Sequence, residues 1–221
     1  DFRDFDDSRE IGTRNIKVAL KRLRRWVREG AADELDLPGT IRSTAEHGYL
    51  DVQTRPERRN AVKLLMFFDV GGSMDDHVMV VEELFSAARA EFRHLEHFYF
   101  HNCLYESVWR DNRRRSERFA VEDLLRSYGP DYKVIFVGDA TMSPYEITHV
   151  GGSVEHWNKE PGAMWMRRMA EHFQRMAWIN PVPQAHWDTT HSAVLMNQLL
   201  EGRMYPLTLE GLEQATRRLS R

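Results

Sequence analysis

The stretch KLLMFFDVGGSMDDH, residues 63–77, places a carboxylate at the end of a run of apolar residues. The run ends at Asp69, and Gly71 and Ser73 follow it at alternate positions. Two further acids, Asp75 and Asp76, complete the stretch. A carboxylate on a glycine hinge contributes little to packing, so we expect Asp69 to hold a ligand.

A second stretch, VIFVGDATMSPYE at residues 134–146, repeats this arrangement. Asp139 follows an apolar run, and Thr141 and Ser143 come after it at alternate positions. Carboxylate and hydroxyl oxygens are ligands that suit Mg²⁺ or Mn²⁺. For Asp139 alone, capping of the helix predicted from Pro144 is the simpler interpretation. For the two aspartates together, a divalent-metal site is favoured over capping.

The same residues do not fit three common enzymatic sites. A phosphatase with an aspartyl nucleophile needs a second acid two residues further on, where this chain has Gly71. The turn DVGGSM lacks the third glycine of a dinucleotide-binding loop, and it has no lysine of a phosphate-binding P-loop. We therefore predict that the protein is not an enzyme.

The elements that must position the two aspartates alternate between strands and helices. Strands are predicted at 61–69, 131–140, 175–183 and 203–209, and residues 95–109 form one bent strand or two paired strands. Helices are predicted at 77–92, 118–129, 163–173 and 209–219. This pattern predicts an α/β fold with a mostly parallel sheet and helices on both faces. The carboxyl ends of its strands bind ligands, so both aspartates, bordered by His101 and Asn102, are expected at one edge.

Residues 1–60 are predicted to be a small helical N-terminal extension of a domain that spans 61–221. One helix is expected at 14–30, and a second begins near Pro38, with Asp36 at its cap and Gly48 beyond its end. A strand is predicted at 49–55. The extension has too few apolar residues for its own core, so we expect it to pack on the larger domain. Because the chain opens with Asp1, it is expected to be a piece of a longer protein.

The composition is that of a globular protein, with 42% hydrophobic and 29% charged residues among 221 and a net charge of −3. No apolar run approaches the roughly 20 residues of a membrane span. Cys103 is the only cysteine, which excludes an internal disulfide and fits a reducing compartment. We therefore predict a cytoplasmic protein that does not insert into a membrane.

Two basic clusters are candidate surfaces for a partner. They include Lys21, Arg24, Arg25, Arg113, Arg114 and Arg115. The first cluster, with the helix after Pro38 and the strand at 49–55, also has the outline of a winged helix-turn-helix that could bind nucleic acid. The second helix of that outline carries only one arginine, so a protein partner is preferred and nucleic acid is the alternative.

Several blocks of the sequence together resemble one known family. The blocks FFDVGGSM, YFHN, DNRRR, VIFVGDATMSPYE, WINPVP and RMYPLTLEGL occur in an order and spacing similar to those of von Willebrand factor type A (VWA) domains. The likeness covers nearly the whole chain and is greatest to the CoxE-like branch of bacterial VWA proteins. It implies a VWA fold, which is Rossmann-like, and a metal-ion-dependent adhesion site (MIDAS).

The resemblance assigns the metal ligands residue by residue. The family motif D-x-S-x-S places Asp69 and Ser73 in one loop, and Asp139 corresponds to the aspartate of another. Gly71 stands where the motif has its first serine, and Ser116 is the only candidate for the family's threonine. Such a site is expected to bind its ion weakly, to be vestigial, or to use substitutes. The candidate substitutes are Thr141, Ser143, Asp75 and Asp76.

The resemblance also implies a function. VWA domains bind other proteins through a metal that accepts a carboxylate from the partner. CoxE-like proteins resemble companions of MoxR-type AAA+ ATPases, which are thought to assist the maturation or remodelling of other proteins. We therefore expect an adaptor that joins a client protein to such an ATPase.

Overall fold

The computed structural model describes residues 15–21, 34–55, 62–113, 115 and 117–220. Within them, one sheet contains seven strands, which are β3 (Lys63–Asp69), β4 (His94–Phe100), β5 (Ser107–Trp109), β6 (Arg118–Ala120), β7 (Lys133–Val137), β8 (Met176–Asn180) and β9 (Met204–Pro206). Their order across the sheet is β6-β5-β4-β3-β7-β8-β9. Strands β4, β3, β7, β8 and β9 run parallel, while β5 and β6 are antiparallel to their neighbours. The sheet is mostly parallel, as the sequence predicts.

The helices lie in chain order around this sheet. They are α1 (described at 15–21), α2 (Leu37–His47), α3 (Val78–Glu91), α4 (Val121–Ser127), α5 (Pro144–Thr148), α6 (Gly162–His172), α7 (His191–Leu199) and α8 (Leu209–Ser220). Two 3₁₀ segments, Gly72–His77 and Gln184–Thr189, follow β3 and β8. Among the described residues, no helix has the length and apolar character needed to cross a bilayer.

The apolar run of β3 is buried on both faces of the sheet. Its side chains alternate between two cores, because successive residues of a strand point to opposite faces. Leu65 and Phe67 join a core with residues of α4, α5, α6 and α7. Leu64 and Met66 join the other core, with residues of α1, α3 and α8. A strand covered on both faces reads as a continuous apolar run, and this explains why the sequence identified it.

Of the described N-terminal segments, α1 has residues in the core of the larger domain. Ile16 and Leu20 of α1 are buried in the same core as Leu64. Helix α2 begins after Asp36, whose carboxylate accepts a hydrogen bond from the Gly39 amide. The predicted helix over 14–30 otherwise lies outside the described residues.

The strand predicted at 49–55 is much shorter in the structure. Only Thr54–Arg55 (β2) is a strand, and it pairs antiparallel with Glu34–Leu35 (β1). The backbone amides of Asp51 and Gln53 donate instead to side-chain hydroxyls of α2. These hydrogen bonds replace strand pairing over the first part of the predicted element.

Two other elements were not predicted from the sequence, and one ambiguity is resolved. Strand β6 has three residues, and α7 starts at a residue with no side-chain cap, so neither gave a clear signal. Residues 95–109 form two paired strands, β4 and β5, and not one bent strand.

Candidate metal centre

Asp69 is the last residue of β3, and its two carboxylate oxygens have different surroundings. Oδ1 accepts hydrogen bonds from the backbone amides of Gly71 and Asn102, both at 2.8 Å. Oδ2 is buried and has no hydrogen-bond partner. The 3₁₀ segment that follows has Gly71 at its N-cap with no side-chain hydrogen bond, so Asp69 does not cap it.

The environment of Asp69 disfavours a negative charge in the absence of a cation. Burial raises the pKa of this carboxyl from 3.8 to about 7. The two backbone hydrogen bonds lower this pKa, while the nearby carboxylates of Asp139 and Glu146 raise it further. A bound cation would compensate the buried charge and would give Oδ2 a partner.

Asp139 lies two residues beyond β7, at the same edge of the sheet as Asp69. It is 3% exposed, and its Oδ1 accepts a hydrogen bond of 2.8 Å from the Thr141 amide. Its carbonyl oxygen accepts from the Asn180 side chain at 2.9 Å. Helix α5 is capped by Ser143, whose Oγ accepts from the Tyr145 amide. Capping therefore does not explain Asp139 any more than it explains Asp69.

The two loops approach each other most closely at Gly138. A Cβ atom at this position would lie 2.9 Å from the Asp69 Cβ and 3.3 Å from its Oδ2. It would also lie 3.0 Å from Cζ2 of Trp178. The absence of a side chain at Gly138 thus allows the β7 loop to pass directly over the buried carboxylate.

The hydroxyl residues and the outer acids lie nearer the surface. Ser73 is exposed, and its Oγ donates a hydrogen bond of 3.4 Å to the carbonyl oxygen of Thr141, which joins the two aspartate loops. Asp75 and Asp76 are exposed on the 3₁₀ segment after β3. Ser116 lies outside the described residues.

Two residues complete the inner surface of the site. Asn102, expected to border it, has a φ of 56° and donates its side-chain amide to Glu146 Oε1 at 3.1 Å. Glu146 is 1% exposed, and burial raises its pKa. Glu146 was not predicted as a site residue, because S-P-Y-E at 143–146 has the pattern of a capping box. The Glu146 carboxylate keeps the contact of such a box with the Ser143 backbone amide, and it also accepts from Asn102 in another loop.

The described residues contain no group of three or more His, Cys, Asp or Glu that could hold a metal ion. A cation at this edge would therefore need ligands beyond the carboxylates, such as hydroxyl, amide or water oxygens. Mg²⁺ and Mn²⁺ accept such oxygen ligands, and Mg²⁺ usually retains several waters. The unpartnered Oδ2 of Asp69 and the carboxylate and hydroxyl oxygens of the two loops fit an ion of this kind.

A cavity of about 260 Å³ opens beside Asp69. Its apolar lining includes Phe68, Phe85 and Tyr99. Apart from Asp69, its acidic lining residues are Asp75 and Glu82. The cavity shares Asp69 and Gly71 with the candidate metal centre. Its volume is close to the lower end of the range for small-ligand sites, which suits a single large side chain.

The predicted partner-binding cations are only partly described. Lys21 pairs with Glu91 at 3.8 Å, and Arg115 pairs with Glu155 at 2.8 Å. Arg113 is exposed. Arg24, Arg25 and Arg114 lie outside the described residues. Partner binding by these cations stays a prediction, as does the nucleic-acid alternative.

The sheet and its helices define the class of the protein. A mostly parallel seven-stranded sheet with helices on both faces and two aspartates at its carboxyl edge is a VWA-type, Rossmann-like α/β fold. Residues 10–117 match the family described as VWA domain containing CoxE-like protein, which supports a CoxE-like VWA domain in this part of the chain. Comparison with curated proteins and with solved structures gives no match.

Proposed function

We infer that this protein is a non-enzymatic protein-interaction module that binds Mg²⁺ or Mn²⁺ at the carboxyl edge of its sheet. The observation that carries the proposal is the buried Oδ2 of Asp69, which has no partner and faces a second buried aspartate loop. A structural aspartate with no ligand to hold would normally satisfy both oxygens.

Asp69 and Asp139 supply the negative charge of the proposed site, and Ser73 supplies a hydroxyl at its outer side. Thr141 and Asp75 are candidates for additional or water-mediated contacts, since the Thr141 carbonyl accepts from Ser73 and Asp75 lines the adjoining cavity. When bound, the cation offers a coordination position to a carboxylate of the partner protein. Because Gly71 supplies no side-chain ligand, the site is expected to bind the cation weakly until a carboxylate of the partner adds a further ligand.

The adjoining cavity supports a protein partner over a small inorganic ligand. Because it is continuous with Asp69, a segment that brings a carboxylate to the cation can place a neighbouring apolar side chain between Phe68, Phe85 and Tyr99. Burying such a side chain adds roughly 1.5–3 kcal/mol of hydrophobic free energy. The partner segment is therefore expected to carry an acidic residue next to a large apolar one.

The match of residues 10–117 to the CoxE-like family supports a MoxR-type AAA+ ATPase as the partner. In this proposal the protein is a cytoplasmic bacterial adaptor that presents a client to the ATPase for maturation or remodelling. The ATPase supplies nucleotide hydrolysis, so the adaptor itself needs no catalytic residue.

Co-elution with a MoxR-type ATPase tests this proposal. The Mg²⁺ and ATP concentrations are kept constant, so that only the adaptor differs between samples. Asp69→Ala should lower the affinity at least about tenfold, because the partner carboxylate loses its cation. Asp131→Ala is the matched control, since Asp131 lies at the opposite edge and pairs with Lys63. Equal affinity of the wild type and Asp69→Ala would contradict the proposal.

A further inference from the structure

Gly71 and Asn102 occupy equivalent places in two neighbouring loops. Strands β3 and β4 run parallel with Asp69 opposite Phe100, so Gly71 and Asn102 each lie two residues beyond that pair. The backbone amides of both residues donate to the same oxygen of Asp69. The two loops therefore meet around one carboxylate.

The space next to Gly71 is filled by the side chain of Asn102. A Cβ atom built on Gly71 would lie 2.0 Å from Oδ1 of Asn102 and 3.3 Å from Oδ1 of Asp69. Both distances are too short or tight for a side chain at position 71 while Asn102 stays in place. An amide oxygen thus stands where a side chain of residue 71 would begin, beside the proposed metal ligand.

Glu146 determines which end of the Asn102 amide faces this space. Asn102 Nδ2 donates to Glu146 Oε1 at 3.1 Å and lies 3.4 Å from Oε2, so the amide oxygen points the other way. Tyr105 donates its hydroxyl to the Glu146 carbonyl at 3.0 Å, which anchors the start of α5 near this loop. The αL backbone of Asn102, with φ 56°, directs its side chain between the two loops and is tolerated by asparagine.

We propose that Asn102 Oδ1 is a ligand of the divalent cation and replaces the hydroxyl that Gly71 cannot supply, with Glu146 as its positioning residue. This inference rests on the proposed function, because it assigns a ligand of the same site. Amide oxygens are accepted ligands of hard cations, so the substitution keeps the oxygen chemistry of the site.

A four-protein titration with Mn²⁺ and Mg²⁺ tests the assignment by calorimetry. Asn102→Gly keeps the αL backbone and its amide but removes the oxygen, and it should weaken binding about ten- to a hundredfold. Gly71→Ser alone should also bind weakly, because its Cβ meets Asn102 Oδ1 at 2.0 Å. The double variant Gly71→Ser/Asn102→Gly has room for a serine hydroxyl and should recover most of the affinity.

Two variants of Glu146 separate positioning from charge. Glu146→Gln keeps an oxygen that can accept from Asn102, so its affinity should stay within about threefold of the wild type. Glu146→Ala releases the amide and should weaken binding about tenfold. Equal losses in both variants would show that Glu146 acts through its charge and would overturn its positioning role.

The outcomes distinguish this inference from the function on which it rests. Wild-type binding that Asn102→Gly leaves unchanged would overturn the ligand assignment and keep the metal site. A wild type that binds neither ion would overturn both. Thermal unfolding of each metal-free variant confirms that changes in affinity do not come from loss of the fold.

Discussion

At the scale of single residues, the most important feature is that the two carboxylate oxygens of Asp69 have different surroundings. One oxygen accepts two backbone amides, and the other is buried without a partner. The sequence predicted a carboxylate at a strand end because an apolar run stops there. It could not predict the raised pKa, since burial of this side chain depends on loops from distant parts of the chain.

The pKa of Asp69 leads to a prediction about stability without metal. Between its ordinary pKa of 3.8 and the raised value of about 7, the folded protein retains a proton that the unfolded chain has lost. Stability therefore falls as the pH rises through this window, by roughly 4 kcal/mol in all. Asp69→Asn cannot ionise, so it should be more stable than the wild type by up to about 4 kcal/mol near pH 8.

Urea unfolding of the metal-free proteins measures this difference. The advantage of Asp69→Asn should shrink toward pH 5, where most folded wild type is already protonated at this carboxyl. Asp131→Asn serves as the control, because Asp131 is exposed and ion-paired with Lys63. Parallel pH profiles of the wild type and Asp69→Asn would show that Asp69 carries no such penalty.

At the scale of elements, the site depends on loops that follow three adjacent strands. The loops after β3, β4 and β7 contribute Asp69, Asn102 and Asp139, and parallel pairing brings them to one edge. Parallel topology made the meeting of the two aspartates predictable. The contribution of Glu146 was not predictable, because its local pattern indicates only a helix cap and its second contact is with Asn102 in a distant loop.

A substitution at Gly138 tests whether the β7 loop must lie close to Asp69. An alanine there would place its Cβ 2.9 Å from the Asp69 Cβ and 3.0 Å from Trp178, so we expect a loss of about 1–3 kcal/mol in stability. Gly138→Ala should also weaken ion binding, because it displaces the Asp69 carboxylate. Gly72→Ala is the control, since nothing lies within 4 Å of its added Cβ. Equal unfolding midpoints for the two variants would contradict the close approach.

At the scale of the whole molecule, the central strands of the fold were predictable from the sequence, whereas the short strand β6 and the helix α7 were not. The continuous apolar runs at 63–69 and 133–137 identified the central strands, because both faces of these strands are covered. The short edge strand β6 and the uncapped helix α7 lack comparable signals. Asp69, Ser73 and Asp139 lie at one edge of the sheet, while their role as metal ligands stays a prediction. The sequence did not predict the Asn102 amide that fills the space at Gly71.

The proposed binding chemistry of the domain lies at a single edge of the sheet. Two apolar cores hold the sheet between helices, while the carboxyl edge carries buried acids, exposed hydroxyls and an adjoining cavity. The sheet fixes the positions of the loops. Among the described residues, none donates a hydrogen bond to the buried Oδ2 of Asp69. This division of roles is what an ion-dependent binding module requires.

Calorimetric titration of the metal-free protein with Mg²⁺ and Mn²⁺ tests the central claim most directly. We predict saturable binding at one site in the wild type and in Asp131→Ala, and none in Asp69→Ala, whose fold is checked by thermal unfolding. The same titration with the ATPase present should show tighter binding if a partner carboxylate completes the site. Absence of saturable binding under both conditions, or equal binding by Asp69→Ala, would contradict a metal centre at this edge.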